Sequence, residues 1–115
     1  PKTDTVSRAY AIDTVKVNLF ERFIKDCNAK GVKLYIVVSP YYLISDITDS
    51  SIEKGMKIAE KYGVEVLNYS NDTSFRLHCE LFADVTHLNE DGAKLFTNKL
   101  VEDIIRKNKQ PDPIN

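Results

Sequence analysis

An aspartate and a histidine stand three residues apart in the segment Asp84-Val85-Thr86-His87, just before a predicted helix start at Asn89. At this spacing the carboxylate can reach the imidazole. A carboxylate that accepts a hydrogen bond from one ring nitrogen fixes the tautomer and leaves the other nitrogen able to take a proton. The pair therefore predicts the orienting acid and the general base of a Ser-His-Asp arrangement. Spacing alone leaves one alternative open, a local hydrogen bond at a helix start.

No serine motif accompanies this pair. The glycines of the chain lie outside G-D-S, G-x-S-x-G and phosphate-cradling patterns; they are Gly31, Gly55, Gly63 and Gly92. Ser39 follows a predicted strand, where open α/β sheets bind ligands, but a serine before proline at that place is more simply a strand stop. The sequence thus predicts half of a catalytic site.

The other histidine and the metal-binding residue types give weaker signals. His78 has no acidic residue at an informative spacing, which predicts a surface or partly buried histidine. His78, Asp84 and His87 lack the helical H-x-x-x-H or the paired cysteines of a zinc site. Neither a metal nor a cofactor is predicted.

Two cysteines and two tyrosines complete the set of residues considered. Cys27 and Cys79 lie far apart and outside any metal or disulfide pattern, so we predict two free thiols. Tyr41 and Tyr42 follow a strand end, where they would line a sugar-binding cleft or pack under the neighbouring loop.

The first element that positions these residues is a helix. Apolar residues recur at spacings of three and four between Tyr10 and Lys30, which predicts an amphipathic helix ended by Gly31. The apolar set is Ile12, Val15, Leu19, Phe20, Phe23, Ile24 and Cys27. Residues 32–38 then form a β-branched and aromatic run before Ser39-Pro40, which predicts a buried parallel strand.

The same order of helix, glycine and strand follows once more. Ser50 to Glu53 has the S-x-x-E form of a capping box, and Gly63 ends the predicted helix. Residues 64–69 predict the second strand, and residues 70–81 a loop with a helical turn. The predicted inward residues of the second helix are Ile52, Met56, Ala59 and Tyr62.

A final helix begins after Asn89, with Glu90 and Asp91 in its first turn and Arg106 and Lys107 in its last. Its predicted inward residues are Ala93, Phe96, Leu100, Val101, Ile104 and Ile105. The order of elements predicts an α/β fold with parallel strands. Two predicted strands are few for such a sheet, so we expect further N-terminal strands, or self-association through exposed strand edges.

Composition restricts the class of protein. The chain has 115 residues, 43% of them hydrophobic, and a formal net charge of -1 with both signs scattered along it. This predicts one unit over residues 1–115, with a tail at 110–115, and no nucleic-acid partner. No run approaches the ~18 apolar residues of a membrane span.

The block from Phe82 to Ala93, which contains Asp84, His87, Leu88, Asn89 and Gly92, resembles the last block of SGNH (GDSL-like) hydrolases. In that block D-x-x-H is followed by Leu or Pro, Asn and a glycine inside the helix. The segment from Val37 to Tyr42 and the helix before it also resemble SGNH-like proteins of the bacterial cell envelope.

This resemblance implies a flavodoxin-like α/β/α sandwich of which the chain is a C-terminal part, with its first strands and its serine block upstream. It implies that Asp84 orients His87 and that His87 is the general base. The implied activity is ester hydrolysis or acyl transfer on an acylated carbohydrate or another small ester, in the cell envelope. We expect this chain alone to be inactive. The alternative is a non-catalytic SGNH-like or flavodoxin-like binding or structural module.

Overall fold

The computed structural model describes residues 13–43 and 50–109. Their elements, in chain order, are α1 (Thr14–Ala29), β1 (Tyr35–Val38), α2 (Ser50–Lys61), β2 (Glu65–Asn68), α3 (Thr73–Arg76), a 3₁₀ turn (Cys79–Leu81), β3 (Phe82–Asp84), β4 (His87–Leu88) and α4 (Glu90–Lys109). β1 and β2 pair in parallel, and β3 and β4 pair antiparallel. The chain is therefore a mixed α/β protein with a small parallel sheet, as the order of elements predicts.

Contacts within the chain cluster into two compact units. Among the described residues, the first unit comprises 13–39 and 50–70, with α1, β1, α2 and β2. The second comprises 40–43 and 71–109, with α3, the 3₁₀ turn, the β3–β4 hairpin and α4. The Asp84–His87 segment belongs to the second unit.

Each helix of the first unit is followed, two residues after its end, by the glycine that the sequence predicts. Gly31 and Gly63 each have a φ of +70°, the left-handed conformation that a residue with a Cβ adopts only with strain. The N–H of Val32 and the N–H of Val64 then donate to carbonyls five residues earlier, at 2.9 and 2.8 Å. This glycine-centred cap satisfies carbonyls of the last helical turn and directs the chain towards each strand.

The first unit has a small core between its helices and its sheet. Its fully covered residues come from α1, from α2 and from the residue after Gly63; they are Ile24, Ile58, Ala59 and Val64. Partly buried residues pack around them: Val17, Phe20, Leu34, Ile36, Tyr62 and Val66. The apolar faces predicted for this region therefore meet. Ile58 also takes a core position, although it is not among the predicted inward residues of α2.

One side of α1 differs from the prediction. Val15, Leu19 and Phe23 follow one another at intervals of four and expose 66%, 59% and 54% of their surface. Among the described residues, α1 packs chiefly against α2, so only the side of α1 that carries Ile24 is covered. The regular apolar spacing is real, but its outer part has no cover within residues 13–43 and 50–109.

The strands are shorter than predicted, and the glycine-centred caps use the first residue of each apolar run, Val32 and Val64. Val32 belongs to the cap of α1, and β1 begins only at Tyr35. Several predicted features lie outside the described residues: Tyr10 and Ile12 at the helix start, the Ser50 side chain of the capping box, and the tail at 110–115.

The second unit contains the helical turn that the sequence predicts within residues 70–81, where the structure has α3 and the 3₁₀ turn. α3 begins where the Asp72 carboxylate accepts the N–H of Ser74 at 2.8 Å. Phe75 is buried and meets Phe96 of α4 edge to face, with ring centroids 5.8 Å apart. Lys99 of α4 lies 3.8 Å from Asp72. These contacts join α3 to α4.

The predicted inward face of α4 is only partly covered. Phe96, Leu100 and Ile104 are half-buried, whereas Val101 and Ile105 each expose 48% of their surface and Ala93 is also exposed. None of the helices within residues 13–43 and 50–109 combines the length and the apolar character that a membrane crossing needs.

The core predicts a contrast between two apolar side chains of α1. Ile24→Ala should lower the free energy of unfolding by about 2–5 kcal/mol, because it empties space around a fully buried side chain. Leu19→Ala, on the exposed side, should change that free energy by less than ~0.5 kcal/mol. Urea denaturation followed by circular dichroism measures both. Equal losses would show that the exposed side of α1 is covered in solution.

Candidate functional site

The β3–β4 hairpin brings the two predicted site residues together. Asp84 and His87 are partners in the antiparallel register, and Val85 and Thr86 form the turn between them. A two-residue connection of this kind places the flanking side chains beside each other. The proximity that spacing suggested is therefore produced by a hairpin rather than by the helix start.

Within this hairpin the imidazole contacts the carboxylate through one nitrogen. Nδ1 of His87 lies 2.8 Å from Oδ1 and 3.1 Å from Oδ2 of Asp84. With Nδ1 protonated, the ring donates to the carboxylate and leaves its other nitrogen as the acceptor. This is the geometry that orients a histidine base.

Thr86 anchors the carboxylate from the turn itself. Its backbone N–H donates to Oδ1 of Asp84 at 3.0 Å, and its hydroxyl lies 3.3 Å from the same oxygen. A carboxylate that accepts the N–H two residues later forms a local turn of the kind that aspartate favours. The hydrogen bond from His87 and the backbone hydrogen bond from Thr86 lower the pKa of Asp84 below the ordinary 3.8, because both stabilise its charged form.

The pair is open to solvent. The side chain of His87 exposes 74% of its surface and that of Asp84 exposes 61%. Ion pairs at such exposure are weak, because water screens them. A contact between two side chains at this exposure is therefore too weak to fix the geometry, and the hairpin backbone has to do so.

Asn89 joins the hairpin to the helix that follows. Its side-chain carbonyl accepts the N–H of Gly92 at 2.9 Å, which caps α4 as predicted. Its side-chain amide donates to the carbonyl of Glu80 at 2.7 Å, and its backbone N–H donates to the carbonyl of Leu81 at 2.9 Å. Asn89 thus joins the segment before β3 to the start of α4.

Gly92 allows this junction to be close. It is buried, and a Cβ at this position would overlap the carbonyl oxygen of Leu81 and crowd the side chain of Leu88. A methyl group would therefore push the 3₁₀ turn and β4 away from α4. In this chain, therefore, the asparagine that caps α4 and the glycine three residues later act at the same junction.

The segment at 40–43 borders the hairpin. The N–H of Tyr42 donates to the carbonyl of Val85 at 2.9 Å, and its ring lies 5.6 Å from that of Phe82. Tyr41 and Tyr42 are both half-buried. Of the two predictions for Tyr42, these contacts favour packing against a neighbouring segment of the same chain and not the lining of an open cleft.

Leu43, at the end of this segment, has a left-handed φ of 61°, which is uncommon for a residue with a branched side chain. Its N–H donates to the carbonyl of Arg76 at 2.9 Å, and the guanidinium of Arg76 lies 3.5 Å from its carbonyl. These two contacts hold the strained residue in place.

The remaining candidates lie elsewhere. His78 is exposed, as predicted, and its Nδ1 lies 3.2 Å from the carboxylate of Glu80, two residues later along the 3₁₀ turn, a contact that the spacing did not indicate. Ser39 is exposed at the end of β1 and belongs to the first unit, whereas His87 belongs to the second. Cys27 and Cys79 are free thiols, as predicted.

Metal-binding residue types do not cluster in the part of the chain that the structure describes: no group of three or more His, Cys, Asp or Glu side chains is placed to hold a metal ion there. The arrangement around His87 offers one imidazole and one carboxylate. A pair of this kind can accept a proton and pass it on.

Three features of the site were not predicted from the sequence. They are the hairpin itself, the role of Thr86 in anchoring Asp84, and the close approach of Leu81 to Gly92. An aspartate two residues before a threonine is a signal for a local turn, and it could have indicated the first two. The third has no local signal, because it joins residues eleven positions apart.

Comparison with protein-family models, with curated proteins and with solved structures finds no match to this chain. The resemblance to SGNH hydrolases thus rests on the residues and motifs quoted for it, above all the block from Asp84 to Gly92. The fold family and the activity it implies are proposals.

The junction at Gly92 predicts opposite effects for two helical glycines. Gly92→Ala should lower the free energy of unfolding by about 1–3 kcal/mol or more, because the added methyl group meets backbone. Gly55→Ala in α2 is the control: its Cβ would make only an ordinary contact with Phe20, so helix propensity should raise stability by about 0.5–1 kcal/mol. Thermal unfolding measures both. A stabilised Gly92→Ala would contradict the close approach.

The Asp84 contacts predict a change in acid titration. His87→Ala removes the largest cause of the lowered pKa, so the pKa of Asp84 should rise towards 3.8. Because the folded-state pKa is lowered, ionised Asp84 stabilises the fold above the unfolded-state value, and this contribution disappears as pH falls through the folded-state pKa. The carboxyl ¹³C shift of Asp84, measured against pH, reports the pKa of Asp84 in the parent chain and in His87→Ala.

The control for that titration is His78→Ala, which removes an imidazole that contacts Glu80 instead. It should leave the Asp84 titration unchanged. An Asp84 titration that is the same in His87→Ala as in the parent chain would show that the two side chains do not meet in solution.

Proposed function

We propose that this chain is the C-terminal part of an SGNH-like ester hydrolase or acyltransferase, in which Asp84 and His87 supply the acid and the base of a Ser-His-Asp triad. The serine comes from a segment of the protein outside the chain. One observation carries the proposal: the Asp84 carboxylate lies within hydrogen-bond distance of Nδ1 of His87. The flavodoxin-like three-layer sandwich is part of the same proposal.

In the proposed reaction, Nδ1–H of His87 donates to Asp84 and Nε2 accepts the proton of the serine hydroxyl. The serine oxygen attacks the ester carbonyl carbon, and Asp84 stabilises the imidazolium that forms. When the acyl–oxygen bond breaks, the imidazolium returns its proton to the departing alcohol. A second acceptor, water or another hydroxyl, then removes the acyl group by the same proton transfers in reverse order.

The surroundings of the pair support this proposal. Asn89 and Gly92 belong to the block that carries the resemblance, and they fasten the hairpin to α4 by hydrogen bonding and by close packing. A base that must meet a serine from another part of the protein has to be held rigidly, because a small misplacement lowers the reaction rate greatly. The substrate class, an acylated carbohydrate or another small ester in the cell envelope, follows from the resemblance.

The exposure of the pair supports the view that the chain alone is inactive. Proton transfer of this kind works best where water is excluded and where donors stabilise the oxyanion. The side chain of His87 is 74% exposed, so water is not excluded from it, and the hydroxyl of Thr86 meets Nδ1, the nitrogen that also contacts Asp84. The remainder of the proposed domain would provide the cover and the nucleophile.

A second candidate is a non-catalytic binding or structural module of the same α/β type. The observation that favours it is the exposed apolar side of α1, formed by Val15, Leu19 and Phe23. Contiguous apolar surface on a protein commonly marks a contact with another chain or segment. In the catalytic proposal, the rest of the domain covers this surface; in the second, a separate partner does.

The catalytic proposal predicts activity in the full-length protein that contains this chain. That protein should release acetate from an activated aryl ester. His87→Ala should lower kcat by about 10⁴-fold or more, because the base is lost. Asp84→Asn should lower it by roughly 10⁴-fold, because the wrong nitrogen of His87 then carries the proton. Steady-state kinetics measures both, and the 115-residue chain alone should release none.

Two control variants sharpen this experiment. His78→Gln alters the other imidazole–carboxylate contact and should keep the parent rate. Ser39→Ala should also keep it, since the nucleophile lies outside this chain in the proposal. Loss of activity in Ser39→Ala would place the nucleophile here, and a full-length protein inactive on every acyl ester tried would favour the non-catalytic module.

A further inference from the structure

The hydroxyl of Thr86 lies within hydrogen-bond distance of both members of the candidate pair. Its Oγ1 is 3.3 Å from Oδ1 of Asp84 and 3.0 Å from Nδ1 of His87. A hydroxyl has one proton to donate and two lone pairs to accept with. The direction of that one proton therefore determines how the three groups share their hydrogen bonds.

Only one direction suits an ionised carboxylate. If Thr86 donated to Nδ1 of His87, that nitrogen would carry a lone pair and would face both oxygens of Asp84, at 2.8 and 3.1 Å, with no proton between them. If Thr86 donates to Oδ1 instead, Nδ1–H donates to the carboxylate and its proton also approaches Oγ1. The second arrangement satisfies every group, and it requires the carboxylate to be ionised, as it is at neutral pH with a pKa below the ordinary 3.8.

We propose that Thr86 is a positioning residue whose hydroxyl helps to keep the proton of neutral His87 on Nδ1, by donating to Asp84 Oδ1 and accepting from Nδ1–H. Its relevance to catalysis rests on the proposed function, because a base needs its other nitrogen unprotonated. The hydrogen-bond arrangement itself does not depend on any activity.

The same geometry gives the hydroxyl an opposite effect when the carboxylate is absent. In Asp84→Ala, the acceptor at 3.3 Å is lost and Nδ1 of His87 remains the nearest partner, at 3.0 Å. We expect the hydroxyl then to donate to Nδ1, because an unprotonated imidazole nitrogen accepts more strongly than a neutral hydroxyl oxygen, and this favours the tautomer with the proton on Nε2. Thr86 thus supports one tautomer when Asp84 is present and the other when Asp84 is removed.

Nitrogen-15 NMR of the histidine rings tests this reversal in the 115-residue chain, since the two tautomers differ in their Nδ1 and Nε2 shifts. The spectra are recorded at a pH where the imidazoles are neutral. Thr86→Val should lower the ratio of Nδ1–H to Nε2–H tautomer about two- to five-fold, as expected for one exposed hydrogen bond. In the Asp84→Ala background, Thr86→Val should raise that ratio.

Matched variants exclude a general structural effect. Thr86→Ser retains the hydroxyl and should restore the parent ratio, whereas loss of local structure would persist in it. The chain has two histidines, and the ring of His78, which contacts Glu80, should keep its shifts in every variant. Backbone amide spectra confirm that each variant is folded.

An unchanged ratio in Thr86→Val, or a change of the same sign in both backgrounds, would overturn the positioning role. The outcome is separate from that of the proposed function. A sign reversal in a protein whose full-length form cleaves no ester would keep the role of Thr86 and remove the hydrolase. Ester cleavage that depends on His87 but an unchanged ratio would do the opposite.

Discussion

The contact between the Leu81 carbonyl and Gly92 is the constraint on which the candidate site depends. The carbonyl accepts the N–H of Asn89 and occupies space that any side chain at position 92 would fill. Because Asn89 also caps α4 and bonds to the carbonyl of Glu80, the chain before β3 and the start of α4 are fastened at one point. This attachment restricts the position of the β3–β4 hairpin, which lies between them in sequence.

The backbone has to set the geometry of the pair, because electrostatic attraction between side chains at such exposure is too weak to do so. A carboxylate and an imidazole in contact with water attract each other weakly. Backbone and turn contacts hold Asp84 instead: its register opposite His87, and the Thr86 N–H on Oδ1. The side chains then meet at 2.8 Å because the backbone has already placed them there.

Features governed by neighbours in sequence were predictable, and those governed by distant contacts were not. Gly31, Gly63 and Asn89 act within one helical turn, and the structure confirms all three. The exposed side of α1 was not predictable, because periodicity identifies an apolar face without showing what covers it. The strands were predicted too long for a related reason, since Val32 is apolar but serves a helix cap.

The candidate site divides along the same line. Asp84 and His87 are three residues apart, so their contact depends on local chain geometry that a sequence pattern can indicate. A triad also needs a nucleophile and oxyanion donors, and in α/β proteins these come from other strand ends, far along the chain. In the proposed triad, a single segment therefore supplies the base and its orienting acid and holds them in place, whereas the nucleophile and the oxyanion donors belong to residues that this segment meets only on folding.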